Sequence, residues 1–257
     1  MKRAFKQTYI LFTRSMRHIM RSPDMIMTVA VMPILFMLLF VYVFGGALKE
    51  SLPPSINYVS YQLPGILIMT ISCGITYSAV RIFFDKQGGM LSRLNSMPVS
   101  RSAFLWGHIF TSLVSNAISL MLVIIMALIM GFRSNAGFLE WLGVIGILVL
   151  LTLAFTWVAI VSGLTAKSME GSAALSYPMM FLPFISSSFV PVDTMPAAVA
   201  AFAKYQPMTP MAEALRSLLT NTPVENDIWV ALAWCFGILF AAWFLAMWIY
   251  KRQILGQ

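Results

Sequence analysis

Charged side chains are scarce in this sequence of 257 residues, where only 10% are Asp, Glu, Lys or Arg and 60% are hydrophobic. A soluble domain has about 25% charged residues and about 45–50% apolar ones. A single core cannot bury that apolar excess, so much of the chain is predicted to face lipid. The formal net charge of +8 is interpreted as a sign of membrane topology, and no nucleic-acid partner is expected.

Residues that carry catalytic or metal chemistry are also few. The two cysteines and two histidines show no spacing typical of a disulfide framework or a metal site. We interpret His108 as an interfacial or hydrogen-bonded residue. The sequence has no phosphate-binding loop of the Gly-x-x-x-x-Gly-Lys-Ser/Thr type, so we expect no ATP hydrolysis by this chain. No acidic residue falls well inside a hydrophobic stretch, which disfavours proton-coupled carriers and intramembrane enzymes. We therefore expect no catalytic residue, no metal site and no resident cofactor.

Six stretches free of Asp, Glu, Lys and Arg are long enough to cross a bilayer, which needs about 20 residues. A charged side chain at the bilayer centre costs about 2.5–3.5 kcal/mol, so such stretches predict membrane spans. The predicted fold is all-α, a single integral membrane domain over residues 1–257. The six predicted transmembrane helices cover approximately residues 25–46, 61–80, 104–130, 141–163, 172–191 and 228–250.

Lysine and arginine are distributed unevenly between the predicted loops. One side of the membrane holds thirteen of them and the other side holds four. Positively charged loops are retained in the cytoplasm, so both termini are predicted to lie there. The first hydrophobic run is too long for a cleavable signal, and we predict an uncleaved first span. The expected location is the plasma membrane of a bacterial cell.

Two further segments are predicted to lie at the membrane surfaces. Residues 1–22 carry apolar side chains at helical spacing among six basic ones, which predicts an amphipathic helix in the cytoplasmic interface, with a simple topology anchor as the alternative. Residues 193–227 offer helix starts at Thr194 and Thr209, each followed by too few residues to cross. We predict re-entrant outer helices there, with a packed outer lid as the alternative.

The loop over residues 81–103 has the pattern of an ordered element. Gly88 and Gly89 permit a sharp turn. Apolar residues then recur at helical spacing until a proline ends the pattern: Met90, Leu91, Leu94, Met97 and Pro98. This predicts a short helix below the membrane that docks a soluble partner, with a solvated turn and a membrane-lying helix as the alternative.

Aromatic and small polar residues mark two of the predicted spans. Phe36, Phe40 and Phe44 recur every four residues on one face of the first span. Together with the 20 methionines, they form a lining suited to varied apolar ligands, with packing or lipid contact as the alternative. Ser186 and Ser187 in the fifth span favour close helix contact or a wet path.

Five segments make the sequence recognisable: MPILFMLLFVYVFGGA, YVSYQLPGILI, FDKQGGMLSRLNSMPVSRSAFLWGH, SSFVPVDTMP and YQPMTPMAEALRSLL. On these segments the chain resembles the membrane subunit of ABC-2-type ATP-driven exporters, and most closely the daunorubicin-resistance type of drug-efflux permease. The third segment and the last two are the more specific ones. Ser92 is a departure, because many relatives carry Glu there.

The resemblance implies a half-transporter that pairs with a second permease subunit, identical or different, and with an ABC ATP-binding subunit that holds ATP and Mg. Residues 1–22 would be a connecting helix and residues 85–101 a coupling helix, with a second ATPase contact at residues 167–170. The residues implied in ATPase coupling are Asp85, Gly88, Gly89, Leu91, Arg93, Leu94, Met97, Pro98, Arg101, Lys167 and Glu170. Those implied in a substrate path between the paired subunits are Phe36, Phe40, Phe44, Thr76, Ser186, Ser187 and Phe189.

The expected function is export of a drug, antibiotic or other amphipathic molecule by alternating access between two states. An exporter of a lipid or lipid-linked glycan is the alternative within the same class. A stand-alone membrane carrier or channel without an ATPase is the alternative from a different class.

Overall fold

The computed structural model of the protein describes residues 12–13, 15–16, 23–46, 57–89, 101–222 and 226–255. These residues form helices, turns and connections, with no β-strand among them. Most of the predicted interfacial helix over 1–22 lies outside them. The labelled helices are α1 (Pro23–Leu38), α2 (Tyr58–Gln87), α3 (Arg101–Ile129), α4 (Phe138–Thr165), α5 (Met169–Ala173), α6 (Ser176–Phe181), α7 (Ala197–Tyr205), α8 (Met208–Thr220) and α9 (Asp227–Leu255).

Four helices in the described part of the chain are long and apolar enough to cross a membrane: α2, α3, α4 and α9. They correspond to the second, third, fourth and sixth predicted spans. Helix α2 continues seven residues beyond the predicted end at residue 80, because the charged residues in its last two turns do not interrupt the helix. The all-helical membrane architecture is confirmed, whereas the count of six spans stays a prediction.

The first predicted span is helical but irregular. Helix α1 runs directly into a π-helix over Leu39–Val43, in which the Phe44 amide donates to the Leu39 carbonyl at 3.2 Å. Pro33 lies inside α1 and has no amide hydrogen, so the carbonyl of Val29 loses its helical donor. The regular α-helix is therefore shorter than the hydrophobic stretch that predicted it.

The fifth predicted span, over residues 172–191, is a chain of short helices rather than one long helix. It contains the end of α5, all of α6 and a 3₁₀-helix over Leu182–Ile185, and residues 186–191 are not helical. Pro178 is the third residue of α6 and Pro183 the second residue of the 3₁₀-helix, where their missing amides are harmless because the first amides of a helix have no internal acceptor. Further into one continuous helix the same prolines would remove hydrogen bonds from its ladder. A tally of hydrophobic residues does not detect these breaks.

Helix α2 is the central element of the described helices. It packs against α1, α3, α4, α5, α6 and α8. Two glycines permit its closest approaches to other helices, as small residues do in membrane bundles. A Cβ at Gly163 in α4 would lie 2.7 Å from the carbonyl oxygen of Ala79 in α2, and a Cβ at Gly74 in α2 would clash with the Asn116 amide in α3.

The segment predicted to hold outer helices contains α7 and α8. They begin at Ala197 and Met208, close to the predicted starts at Thr194 and Thr209. Helix α8 buries a full apolar face and packs against α2, α4 and α9, whereas α7 is mostly exposed. A re-entrant position in the membrane stays a prediction.

Candidate functional site

The loop implied in ATPase coupling is described at both of its ends. Asp85 lies in the last turn of α2, Gly88 and Gly89 follow directly, and Arg101 begins α3. Gly89 has φ +69°, a left-handed conformation that suits glycine, so the chain turns sharply there. The central residues of the predicted coupling helix lie outside the described residues: Leu91, Arg93, Leu94, Met97 and Pro98.

A contact between the side chains of Asp85 and His108 joins the helices at the two ends of this loop. His108 Nε2 lies 3.2 Å from Asp85 Oδ2, and the His108 side chain is only 3% exposed. The Phe104 ring meets the imidazole edge-on, with ring centroids 4.6 Å apart, and fixes its orientation. The sequence offers one hint of this contact, since His108 lies two turns into α3 on the predicted cytoplasmic side. The pair holds the last turn of α2 against the beginning of α3.

A second contact connects the end of α2 to the other segment implied in ATPase binding. Lys86 Nζ donates to the carbonyl oxygen of Leu164 at 2.5 Å and to that of Ala166 at 3.2 Å. These carbonyls belong to the end of α4, where the last groups of a helix have no internal donor. A cation is also favoured at a helix C-terminus. Lys86 therefore ties the base of the coupling loop to the segment that begins at Lys167.

A seam of buried polar residues continues from the Asp85–His108 contact between α2 and α3. The α3 residues of this seam recur at intervals of three and four on one helical face: His108, Ser112, Asn116 and Ser119. Ser112 Oγ and Ser78 Oγ lie 2.6 Å apart, and Asn116 packs against Gly74. Hydrogen bonds between membrane helices contribute about 0.6 kcal/mol each on average. The seam thus fixes the register of the two helices more than it stabilises them.

A cavity of about 690 Å³ lies between the last turns of α2 and the short helices α5 and α6. Its volume is in the range of about 300–1,000 Å³ typical of small-molecule sites. Thr76, implied in the substrate path, lines the cavity together with Asp85 and Glu170, which the resemblance implies in ATPase coupling. The structure therefore brings members of the two predicted groups together.

The other residues of the predicted substrate path form an aromatic and serine cluster away from this cavity. Phe40 stacks on Phe189 with ring centroids 4.7 Å apart, and Phe36 packs against Phe184 at 5.3 Å. Phe189 is only 2% exposed, whereas Phe44 is 45% exposed. Ser186 and Ser187 are buried beside this cluster, and Ser186 Oγ donates to Ser188 Oγ at 2.6 Å. Their role in transport stays a prediction.

Arg216 contacts the opposite end of α2. In the sequence it is counted only among the four basic residues of the predicted outer side. Its Nη1 lies 2.6 Å from the Glu213 carboxylate, and its Nη2 donates to the Ser187 carbonyl at 2.7 Å. Its Nε donates to the Tyr61 carbonyl at 3.2 Å, and the guanidinium lies 3.9 Å above the Tyr61 ring. The residue joins α8, the first turn of α2 and the turn after α6. The sequence signal that could have revealed it is the spacing of three residues between Glu213 and Arg216, which places both on the polar face of α8.

The chain belongs to the ABC-2 type transporter family, whose model matches residues 6–220. It is 26% identical over 241 residues to the daunorubicin resistance ABC transporter permease DrrB1 of Streptomyces coeruleorubidus, which covers 93% of this chain and 84% of that relative. It is 23% identical over 232 residues to a protein named as a doxorubicin resistance ABC transporter permease, DrrC, of Mycobacterium tuberculosis, covering 90% of this chain and 83% of the relative. A transport permease of Cyanophora paradoxa, ycf38, is 25% identical over 224 residues, covering 84% and 75%. The predicted family resemblance is confirmed.

Proposed function

We propose that this chain is the permease subunit of an ATP-driven exporter that moves a drug, antibiotic or other amphipathic molecule out of the cell by alternating access. A separate ATP-binding subunit supplies ATP and Mg, and a second permease subunit completes the path. Both termini lie in the cytoplasm in this proposal. The family and the printed names of two relatives, which refer to daunorubicin and doxorubicin resistance, support this substrate class.

The observation that carries the proposal is the position of α2. One end of this single helix holds Asp85 and Lys86, which contact α3 and the end of α4 beside both segments implied in ATPase binding. The other end holds Tyr61, whose carbonyl and ring both contact Arg216. The helix is continuous over 30 residues, although Pro64 in its second turn removes one backbone hydrogen bond, and it carries a displacement from one end towards the other. Movement of the coupling loop on ATP binding therefore reaches the outer contacts directly.

The proposed cycle follows from these two sets of contacts. With the ATP-binding subunits apart, Arg216 holds α8 and the turn after α6 on α2, and the outer side is closed. When ATP brings those subunits together, the coupling loop moves α2, and the Arg216 contacts break. The permease is then a two-state element whose balance is set by ATP binding in the partner.

Reconstitution tests the proposal. The permease is purified with its ATP-binding subunit and placed in liposomes. ATP added outside drives those transporters whose cytoplasmic side faces outward, and accumulation of a fluorescent anthracycline inside the liposomes is measured. ATP-dependent accumulation supports the proposal. Movement of a lipid-linked glycan with no movement of the drug supports the alternative substrate class. Transport by the permease alone on a proton gradient would contradict the ABC mechanism.

A further inference from the structure

We propose that the cavity between α2 and the α5–α6 segment is a recognition site for an amphipathic molecule that carries a protonated amine beside a planar apolar ring. The site would select substrates on the cytoplasmic side before they enter the path. This inference rests on the proposed export function and names the substrate class of that function.

The walls of the cavity offer flat apolar surface. Tyr77 and Phe84 of α2 and Tyr177 of α6 all line it. Phe84 is 53% exposed and Tyr177 is 49% exposed, so both rings have surface left for a ligand. Aromatic faces attract both planar rings and cations. These walls suit a ring system with an amine attached.

Glu170 supplies the negative charge for such an amine. It lies in the first turn of α5, and no ion-pair partner for it occurs among the described residues. Asp85 also lines the cavity, but its carboxylate is engaged by His108. Glu170 is therefore the acidic group with most capacity to bind a cation from the ligand.

Arg81 adds a second point of recognition on the opposite wall. It lies one helical turn before Asp85, so the negative charge of Asp85 partly offsets the positive charge of Arg81. Its Nη2 donates to Ser78 Oγ at 3.4 Å, and its Nε has no hydrogen-bond partner in the part of the chain that the structure describes. A guanidinium has five N–H donors, so Arg81 retains donors for a carbonyl or hydroxyl oxygen of the ligand. The cavity thus combines one carboxylate, one donor group and aromatic faces.

A binding experiment on the permease alone tests the site without requiring transport. The probe is a fluorescent planar aromatic ring with a primary amine, and the comparison probe is its N-acetylated form, which has no charge. Both are titrated onto the purified full-length permease in nanodiscs of phosphatidylcholine. We expect Glu170→Gln to weaken binding of the amine about fivefold, as loss of an ion pair worth up to about 1 kcal/mol implies, and to leave the N-acetylated probe within about twofold.

Two further variants separate recognition from structure. Tyr177→Ala should weaken both probes to a similar degree, because the ring surface is shared by both ligands. Glu140→Gln is the matched control, since Glu140 also lies in the first turn of a helix but does not line the cavity. It should change neither affinity. Thermal unfolding of each variant verifies that the fold is intact.

Several results would overturn the inference. An equal loss of both probes in Glu170→Gln would assign that residue a structural role, and unchanged binding of the amine would exclude the cavity as its site. Displacement of the amine by phosphatidylethanolamine at lower concentrations than by the probe's own unlabelled analogue would make the cavity a lipid site. If the probe does not bind, the cavity proposal fails, whereas ATP-driven export is tested separately by the liposome assay. The two proposals can therefore be contradicted independently.

Discussion

Lys86 Nζ and the carbonyl oxygen of Leu164 are 2.5 Å apart although 78 residues separate them in the sequence. The contact joins the end of α2 to the end of α4. Both helices lead directly into segments implied in binding the ATPase, at Gly88 and at Lys167. We therefore expect the Lys86 contact to help transmit a movement of either segment to the other.

Replacement of Lys86 tests this transmission. Lys86→Met keeps the length of the side chain but removes the charged donor, and hydrogen bonds of charged groups contribute about 1.5–3 kcal/mol. We expect a lower ratio of molecules exported to ATP hydrolysed by the complex in liposomes, with continued ATP hydrolysis. Lys86→Arg should retain most of the ratio, and Lys204→Met, at the end of α7, should retain all of it. An unchanged ratio in Lys86→Met would show that the Lys86 contact does not couple the two segments.

The Asp85–His108 pair is expected to behave as a unit. Asp85→Asn and His108→Ala should each lower the thermal stability of the purified permease, because the first weakens the contact of the buried His108 and the second leaves the partly buried Asp85 without it. The double variant should lose less than the sum of the single losses, by about 0.5–1 kcal/mol. Strict additivity in this double-mutant cycle would argue against an energetic link between the two residues.

The glycines at the closest helix contacts should tolerate no methyl group. Gly163→Ala meets the backbone of α2, which cannot move aside, so a loss of about 1–3 kcal/mol is expected. Gly74→Ala meets the Asn116 side chain instead, and a second substitution, Asn116→Ala, should restore stability. Gly146→Ala is the matched control, because a Cβ at Gly146 meets nothing within 4 Å. Stability is measured by thermal unfolding in detergent, and equal behaviour of all three alanine variants would contradict the packing described.

The sequence predicted the four long helices because charged residues are costly inside a bilayer, and each of these helices contains a long stretch without them. It did not predict the break in the fifth span, since a hydropathy count treats Pro178 and Pro183 as ordinary apolar residues. Nor did it find the Lys86 contact, because a backbone carbonyl acceptor carries no sequence signal. Thr76, Asp85 and Glu170 were assigned to two separate roles, and only the packing of α5 against α2 brings them to one cavity.

Arg216 should control the outer closure rather than the supply of energy. Arg216→Lys keeps the positive charge but loses the planar group that contacts the Tyr61 and Ser187 carbonyls together. We expect reduced export with ATP hydrolysis maintained. In the absence of ATP, we expect a faster leak of the fluorescent substrate across the vesicle membrane. Arg133→Lys, at an exposed arginine after α3, should leave export and leak unchanged. A tight membrane in the Arg216→Lys variant would contradict a role in closure.

The phenylalanines of the first span can be divided by their surroundings. Phe40 stacks on the buried Phe189, whereas Phe44 is exposed. Phe40→Ala removes a partly buried ring that packs on the core, so we expect a loss of stability below the about 3–5 kcal/mol typical of a fully buried phenylalanine, and little change in the ratio of export rates for two substrates of different size. Phe44→Ala should have a small effect on stability, and if Phe44 lines the path it should change that ratio. The measurement is the export rate of two anthracycline analogues divided by the amount of folded permease. A changed ratio in Phe40→Ala with full stability would place the aromatic cluster in the substrate path and refute its interpretation as packing.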